Sequence, residues 1–401
     1  MSTAVLAKIE AGRWELGSVA DTALKASARF WFGVTLIGQL AFGFAVTSFY
    51  GLTALRGDYH GWTLTHGYVP GVTKGNFAVA AHLISAAVIM LAGAIQLVPQ
   101  VRNRFPHWHR WNGRLYLLTA GTLSLAGLYM HWIRGSVGDL PQHIGGTVNA
   151  GLIWICGGMA LRYALARDFK THRRWALRLF LVVSASWFIR IMMFLWFMIF
   201  RAPVGLDPTT FTGPLPTTLS YAQYLIPLAV LEIYFRAQDR PGALGRMATA
   251  GMLFLLTLVM AAGLFAVAMA MWVPQVKAAF DFRKSIAETL SATINSSGID
   301  HAVAQYRDLK ASKETTYNFD EEQLNGLGYR LLSAQKFSEA IQIFQLNAEV
   351  YPQSGNVYDS LAEGYMRAGD KSQAIVNYQK SLELKPNNPN AKVMLAKLGR
   401  P

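Results

Sequence analysis

Seven apolar stretches constrain this chain more than any other feature. They fall at approximately residues 30–50, 77–99, 114–133, 145–166, 178–200, 219–236 and 247–273. A helix needs about 17 to 25 apolar residues to cross a hydrocarbon core roughly 30 Å thick, and every stretch is long enough. The sixth is the weakest, being short and interrupted by Pro227. Hydrophobic residues make up 52% of the 401-residue chain and charged residues only 15%. An average soluble protein is about 25% charged. A disordered chain, a coiled coil and an ordinary soluble enzyme are thereby excluded. The single Cys156 excludes a disulfide framework and a cysteine-ligated cluster. The expected fold is all-α: a cytoplasmic segment over 1–29, a transmembrane bundle of about seven spans over 30–276, and a polar tail over 277–401. No apolar core with a small-residue cleavage site lies near Met1, so the first stretch is expected to act as an uncleaved signal-anchor.

The net charge of +14 invites a nucleic-acid reading, which its distribution removes. Up to residue 276 there are 22 Lys and Arg against 9 Asp and Glu, whereas the tail carries 15 against 14. The apolar part is the basic one. Its basic residues also sort by side, with 17 in the N-terminal segment and alternate loops and 4 in the opposite loops. That asymmetry predicts a cytoplasmic N-terminus in a bacterial inner membrane, and seven spans then put the tail in the periplasm. The bilayer is the expected partner, and no nucleic acid is.

The tail repeats itself. Leu327, Gly328, Ala340, Phe344 and Pro352 recur 34 residues later as Leu361, Ala362, Ala374, Tyr378 and Pro386. Small residues at two helix contacts and a closing Pro at this period resemble the tetratricopeptide pattern, over about residues 321–388. "GIDHAVAQY", with Ala302 and Tyr306, resembles the second helix of a degenerate earlier repeat, and "NAKVMLAKLG" a capping helix. The resemblance implies a short helical solenoid that binds a periplasmic protein or peptide. The bland alternative is a structural appendage, with Phe344, Tyr358, Tyr365 and Tyr378 as packing residues.

Motifs for a phosphate-binding loop, a zinc protease helix, a c-type haem attachment and a nucleophile elbow are all missing from the sequence. What remains is histidine. Eight of nine lie in the apolar part. His60, His66, His82, His131 and His143 are expected at the outer face, and His107, His109 and His172 at the inner one. Ionisable groups within a bilayer face the bundle interior and mark pathways or cofactors. Neutral imidazoles on neighbouring helices suit a b-type haem. The simplest geometry pairs His82 with His143 and His109 with His172, with His82, His109 and His172 as iron ligands. A separation of about 25 Å between the two layers is long for electron transfer between two haems. Alternatively, His107, His109 and His172 together hold a transition metal. The competing reading makes them interfacial, since Trp108 and Trp111 flank the first pair like an aromatic belt. Thr171 would then cap the fifth span beside His172.

Arg190 sits near the middle of the fifth stretch. A guanidinium there costs at least ~2.5 kcal/mol on insertion scales, and it does not deprotonate readily. Its candidate partners are Glu232, Gln96, Asn149, backbone carbonyls and a ligand's carboxylates.

Residues 77–195 carry two further patterned pieces, "AAHLISAAVIMLAGAIQLVPQVRNRFPHWHRWNGRLY" and "THRRWALRLFLVVSASWFIR". Through His82, Gln96, Arg104, His109, Arg110, Gly113, Arg114, Tyr116, His172, Arg173, Arg174, Trp175, Arg178 and Arg190 they resemble an uncharacterised bacterial family of polytopic membrane proteins, a domain of unknown function. The resemblance implies no activity. A weaker likeness joins His82, His109, His143 and His172 to transmembrane two-haem b-type cytochromes. It implies electron transfer between a quinol or cytoplasmic donor and a periplasmic acceptor. The alternative is a cofactor-free scaffold whose repeats recruit a partner.

Overall fold

The computed structural model describes residues 3–56, 72–207, 210–240, 242–312 and 314–399, with side chains from Leu16 onward. His60 and His66 lie outside the described residues. The chain divides into two compact units, 1–280 and 281–401.

The first unit is helical. Its long helices are α1 (Thr3–Val46), α3 (Thr73–Gln96), α5 (Pro106–Tyr129), α6 (Leu140–Leu165), α9 (Pro214–Asp239) and α10 (Ala243–Val267). Between them stand α7 (Phe169–Val183) and α8 (Ala185–Phe200), with short pieces α2 (Leu52–Leu55), α4 (Pro99–Arg104) and α11 (Val273–Ala279). Neighbours close into a ring: α1 packs on α3, α3 on α5, α5 on α6, α6 on α9, α9 on α8, α8 on α10, and α10 on α1. The C-terminal half of α7 is buried on every side, through Leu179, Phe180, Leu181, Val182 and Val183. An element apolar all round belongs in the middle of a bundle.

The solvent pattern is inverted relative to a soluble protein. Large apolar side chains such as Ile37, Ile84, Leu118, Ile155, Leu255 and Phe265 point outward, each more than half exposed. Thr35, Gln39, Ser85, Ser124 and Thr257 are buried. Lipid solvates the first set, while small and polar residues let helices approach and bond.

Among the described residues, four helices are long and apolar enough to cross a membrane, or five if the bent pair α7–α8 is one span. The seven stretches read from the sequence fall on α1, α3, α5, α6, the pair α7–α8, α9 and α10, and all but two of them meet this length and composition test. The two stretches that fall short are those in α5 and α9. In α5 the apolar run is diluted by Thr119, Thr122 and Ser124, whose hydroxyls each return a bond to a carbonyl of their own helix. Such back-bonding satisfies a hydroxyl without water. In α9 the run is diluted by Ser220, Gln223 and Glu232 and interrupted by Pro227. The fifth stretch is also not one helix. It breaks at Ser184 and bends by 53°, and the buried Gln39 amide of α1 donates 2.9 Å to the Ser184 hydroxyl at the break.

The second unit carries a two-residue parallel pairing, β1 (Lys284–Ser285) with β2 (Tyr317–Asn318), and helices α12 (Ile286–Ser297) and α13 (Ile299–Ala311). Helix pairs α14 (Glu321–Ser333) with α15 (Phe337–Val350) and α16 (Gly355–Arg367) with α17 (Lys371–Leu384) follow, then α18 (Pro389–Lys397). The 34-residue period of the sequence falls on these two pairs. Gly328 abuts the Phe344 ring, and a Cβ there would collide with it. Ala340, Phe344, Ala362, Ala374 and Tyr378 are completely buried, and Ala302 and Tyr306 of α13 are buried in the same manner.

Candidate functional site

Polar side chains of the membrane unit gather in two places. The first is the end where α3 finishes and α5 begins. The corner is fixed by amides: Asn112 donates to the Gln96 side-chain oxygen at 2.7 Å and to the Ala92 carbonyl at 3.1 Å, and Gln96 donates to the His109 carbonyl at 2.9 Å. Asp168 caps α7 by accepting from the Thr171 amide. Thr171 is thus the capped residue and not the cap, which corrects the sequence expectation. The bonds from Thr171 hold the Asp168 carboxyl below its ordinary range.

Capping fixes the first turn of α7, and His172 follows from it. Its Nδ1 lies 2.8 Å from the Ala160 carbonyl of α6. A carbonyl only accepts, so Nδ1 carries the proton and Nε2 keeps a free lone pair. His109 stands within electrostatic range of His172, and its Nδ1 is buried with no partner among the described residues. Arg102 lies near both His109 and Arg173. Burial first, and Arg173 second, hold its guanidinium below the ordinary value. His107 is drawn away, with its Nδ1 3.1 Å from the Arg110 guanidinium.

Acids at this end are already engaged. Glu232 accepts from Arg178 at 2.6–2.7 Å, Asp239 from Arg174 at 2.6 Å, and Asp21 from Arg246 at 2.6 Å. Glu232 is therefore the partner of Arg178 and not of Arg190. Gln96 is likewise spent in the α3–α5 corner, and the Asn149 oxygen is buried without a partner.

The second gathering is toward the opposite end of the unit. His143 sits in the first turn of α6, which Asp139 caps by accepting from the Gln142 amide. It pairs with His131 rather than with His82. The rings of His131 and His143 lie 5.1 Å apart, tilted by 33°, and Ser136 bridges them at 2.8 Å and 3.5 Å. His131 also rests on Gly146, where a Cβ would come 2.7 Å from its Nε2. His82 faces the Leu123 carbonyl of α5, with His131 and Arg190 in electrostatic range.

Arg190 is half-buried in α8. It donates to the Ser186 carbonyl one turn back and lies 5.2 Å over the Phe42 ring of α1. Tyr50 is near it. Among the described residues, the carboxylates Asp239, Glu232 and Asp21 are paired with Arg174, Arg178 and Arg246 and not with Arg190.

Three short π-helical segments end helices of this unit: Thr47–Gly51, Met130–Arg134 and Ala268–Trp272. Such segments cluster at functional positions. Here they place Tyr50, His131 and Trp272. The sequence reading missed Tyr50, Ser136 and Trp272, because nothing in residue spacing marks an inserted residue in a helix.

With this geometry in view, the comparisons take their place. Residues 79–234 match a family described as predicted membrane protein (DUF2306). Over those residues the chain is similar to a membrane-protein family of unknown function. The match starts in α3 and runs through α9, so it spans both polar gatherings. No curated protein matches the chain. No group of three or more His, Cys, Asp or Glu among the described residues is arranged to hold a metal ion, so His107, His109 and His172 do not form a three-ligand centre.

Proposed function

We propose that the membrane unit binds one b-type haem between His109 and His172 and transfers electrons, and that the repeat unit recruits a periplasmic protein or peptide. The observation that carries this reading is His172. Its Nδ1 proton is held by the Ala160 carbonyl at 2.8 Å, which orients the ring and leaves Nε2 to ligate. An outer hydrogen bond of this kind is the usual support of a metal-binding imidazole. The buried, partnerless Nδ1 of His109 supports the same assignment from α5. Arg102 and Arg173 add positive charge beside the pair, suited to carboxylate substituents.

His131 and His143 do not fit a haem. Their rings lie 5.1 Å apart at the centroids, tilted by 33°, and the Ser136 hydroxyl already bridges them. The proposal is thus a one-haem site, with His82 and His143 outside it. When bound, the haem supplies a one-electron couple. The chain's own residues orient the ligands and balance charge. The charge asymmetry supports a cytoplasmic N-terminus in a bacterial inner membrane, with the His109–His172 end inside and the repeat unit outside.

The test is the visible spectrum of the detergent-purified protein made with ample haem, oxidised and then dithionite-reduced. A Soret band with sharpened α and β bands on reduction is expected. A featureless spectrum from folded protein ends the haem reading and leaves the scaffold, with the repeats as the working part.

A further inference from the structure

A hollow of about 180 Å³ lies between α5, α6 and α7. Leu117 and Gly121 of α5, Trp154, Gly157 and Gly158 of α6, and Leu179 of α7 line it. Its glycines keep it open. A Cβ at Gly121 would stand 3.3 Å from the Trp154 ring, and one at Gly157 would stand 3.4 Å from Leu117 and 3.8 Å from Leu179. A Cβ at Gly158 would meet no atom within 4 Å. The hollow is a groove that opens outward, because Trp154 and Leu161, both in its lining, are exposed. The same contacts set its direction. Gly121 faces Trp154 and Leu117 faces Gly157, so α5 and α6 run antiparallel along it. Arg114 lies three residues before Leu117 in α5, and Arg162 lies four residues after Gly158 in α6. Residues at those spacings share a helix face. The two arginines therefore stand at one end of the groove, and both are exposed. The Arg114 guanidinium lies 4.7 Å over the ring of Trp111, which is 67% exposed. An exposed Trp at the end of a membrane helix sits at headgroup depth.

An apolar groove that ends at two exposed guanidiniums matches an amphiphile with an anionic head. We propose that it holds one acyl chain of an anionic phospholipid, with the lipid phosphate between Arg114 and Arg162. The planar fork of an arginine offers a phosphate paired donors. Charge decides against the other occupants. An isoprenoid tail fills the apolar part and leaves both arginines unused. A zwitterionic lipid brings an ammonium toward them. A second copy, related by a two-fold axis along the membrane normal, presents the same patch, so its arginines meet these at the same depth and repel them. The site shares no residue with the His109–His172 pair, so this proposal and the haem reading fail separately.

The experiment incubates the detergent-purified full chain with equal amounts of phosphatidylglycerol and phosphatidylcholine carrying the same acyl chains, and counts retained lipid by native mass spectrometry. A basic residue near anionic lipid gives roughly a fivefold gain in binding. The wild type is expected to keep about one phosphatidylglycerol per chain, with a preference of roughly 25-fold over phosphatidylcholine. Arg114→Gln and Arg162→Gln should each cut that preference to roughly fivefold. Gly158→Leu fills the groove, keeps every charge and puts a better helix former into α6, so it should fold and lose the retained lipid. Equal retention of the two lipids by the wild type overturns the proposal. So does full preference in Gly158→Leu, which would place the charge effect on the bare surface. A lipid-free dimer that Gly158→Leu dissociates also overturns it, and gives the groove to a second copy.

Discussion

At the scale of single residues, the two units respond to opposite rules. In the repeat unit a glycine is a space. A Cβ at Gly328 would run into Phe344, which is fully buried, whereas nothing lies near a Cβ at Gly326. Overpacking a core of this kind costs about 1–3 kcal/mol. Gly328→Val should therefore lower the stability of the repeat unit by ~2 kcal/mol, while Gly326→Ala stays within about 0.5 kcal/mol. Hydrogen exchange over α14 and α15 in the intact protein measures both, and equal protection in the two variants would contradict the packing account. This position was legible in advance, because a 34-residue period marks its small residues. In the membrane unit the informative residues are the polar ones, and there sequence was a poorer guide. It singled out Arg190 and offered Glu232, Gln96, Asn149, backbone carbonyls and a ligand's carboxylates as partners, and a backbone carbonyl, that of Ser186, is the one observed. Glu232 is taken by Arg178 at 2.6 Å. Both arginines lie in the same stretch, and spacing alone does not say which one reaches across to α9.

At the scale of elements, the break between α7 and α8 organises the bundle. Apolar periodicity made it a single span, since every residue from Leu179 to Phe188 except Ser184 and Ser186 is apolar or small. The bend of 53° is visible only in three dimensions. It occurs where the Gln39 amide of α1 takes the Ser184 hydroxyl at 2.9 Å, with Gln39 1% exposed. Ser184→Ala strands a buried amide donor, and such a group costs about 1–3 kcal/mol. The expected result is a Tm lower by roughly 3–9 °C in detergent, with Ser184→Thr restoring much of it. An Ala variant as stable as the wild type would show that the break does not depend on this bond. The π-helical segments were equally invisible, because an extra residue in a turn leaves the composition unchanged. Capping shows the same limit. Thr171 and Asp168 are both capping types, and only the structure shows that Asp168 accepts from Thr171.

At the scale of the whole molecule, the chain divides into two units after residue 280, close to residue 276, where its charge distribution changes. Hydroxyl-rich α5 and Pro-interrupted α9 fall short of the length and apolarity that four helices and the bent pair α7–α8 meet. The arrangement of histidines also needed the fold. Four elements, α5, the segment Met130–Arg134, α6 and α7, carry His109, His131, His143 and His172 into two separate pairs. In the pair His109–His172, the Ala160 carbonyl orients the His172 ring through Nδ1. The central claim is therefore one of place, and the most direct measurement is haem content per folded chain in His172→Ala and His143→Ala, each purified from cells supplied with haem. The account predicts that His172→Ala loses the chromophore and His143→Ala keeps it. Retention in His172→Ala, or its loss in His143→Ala alone, would contradict it.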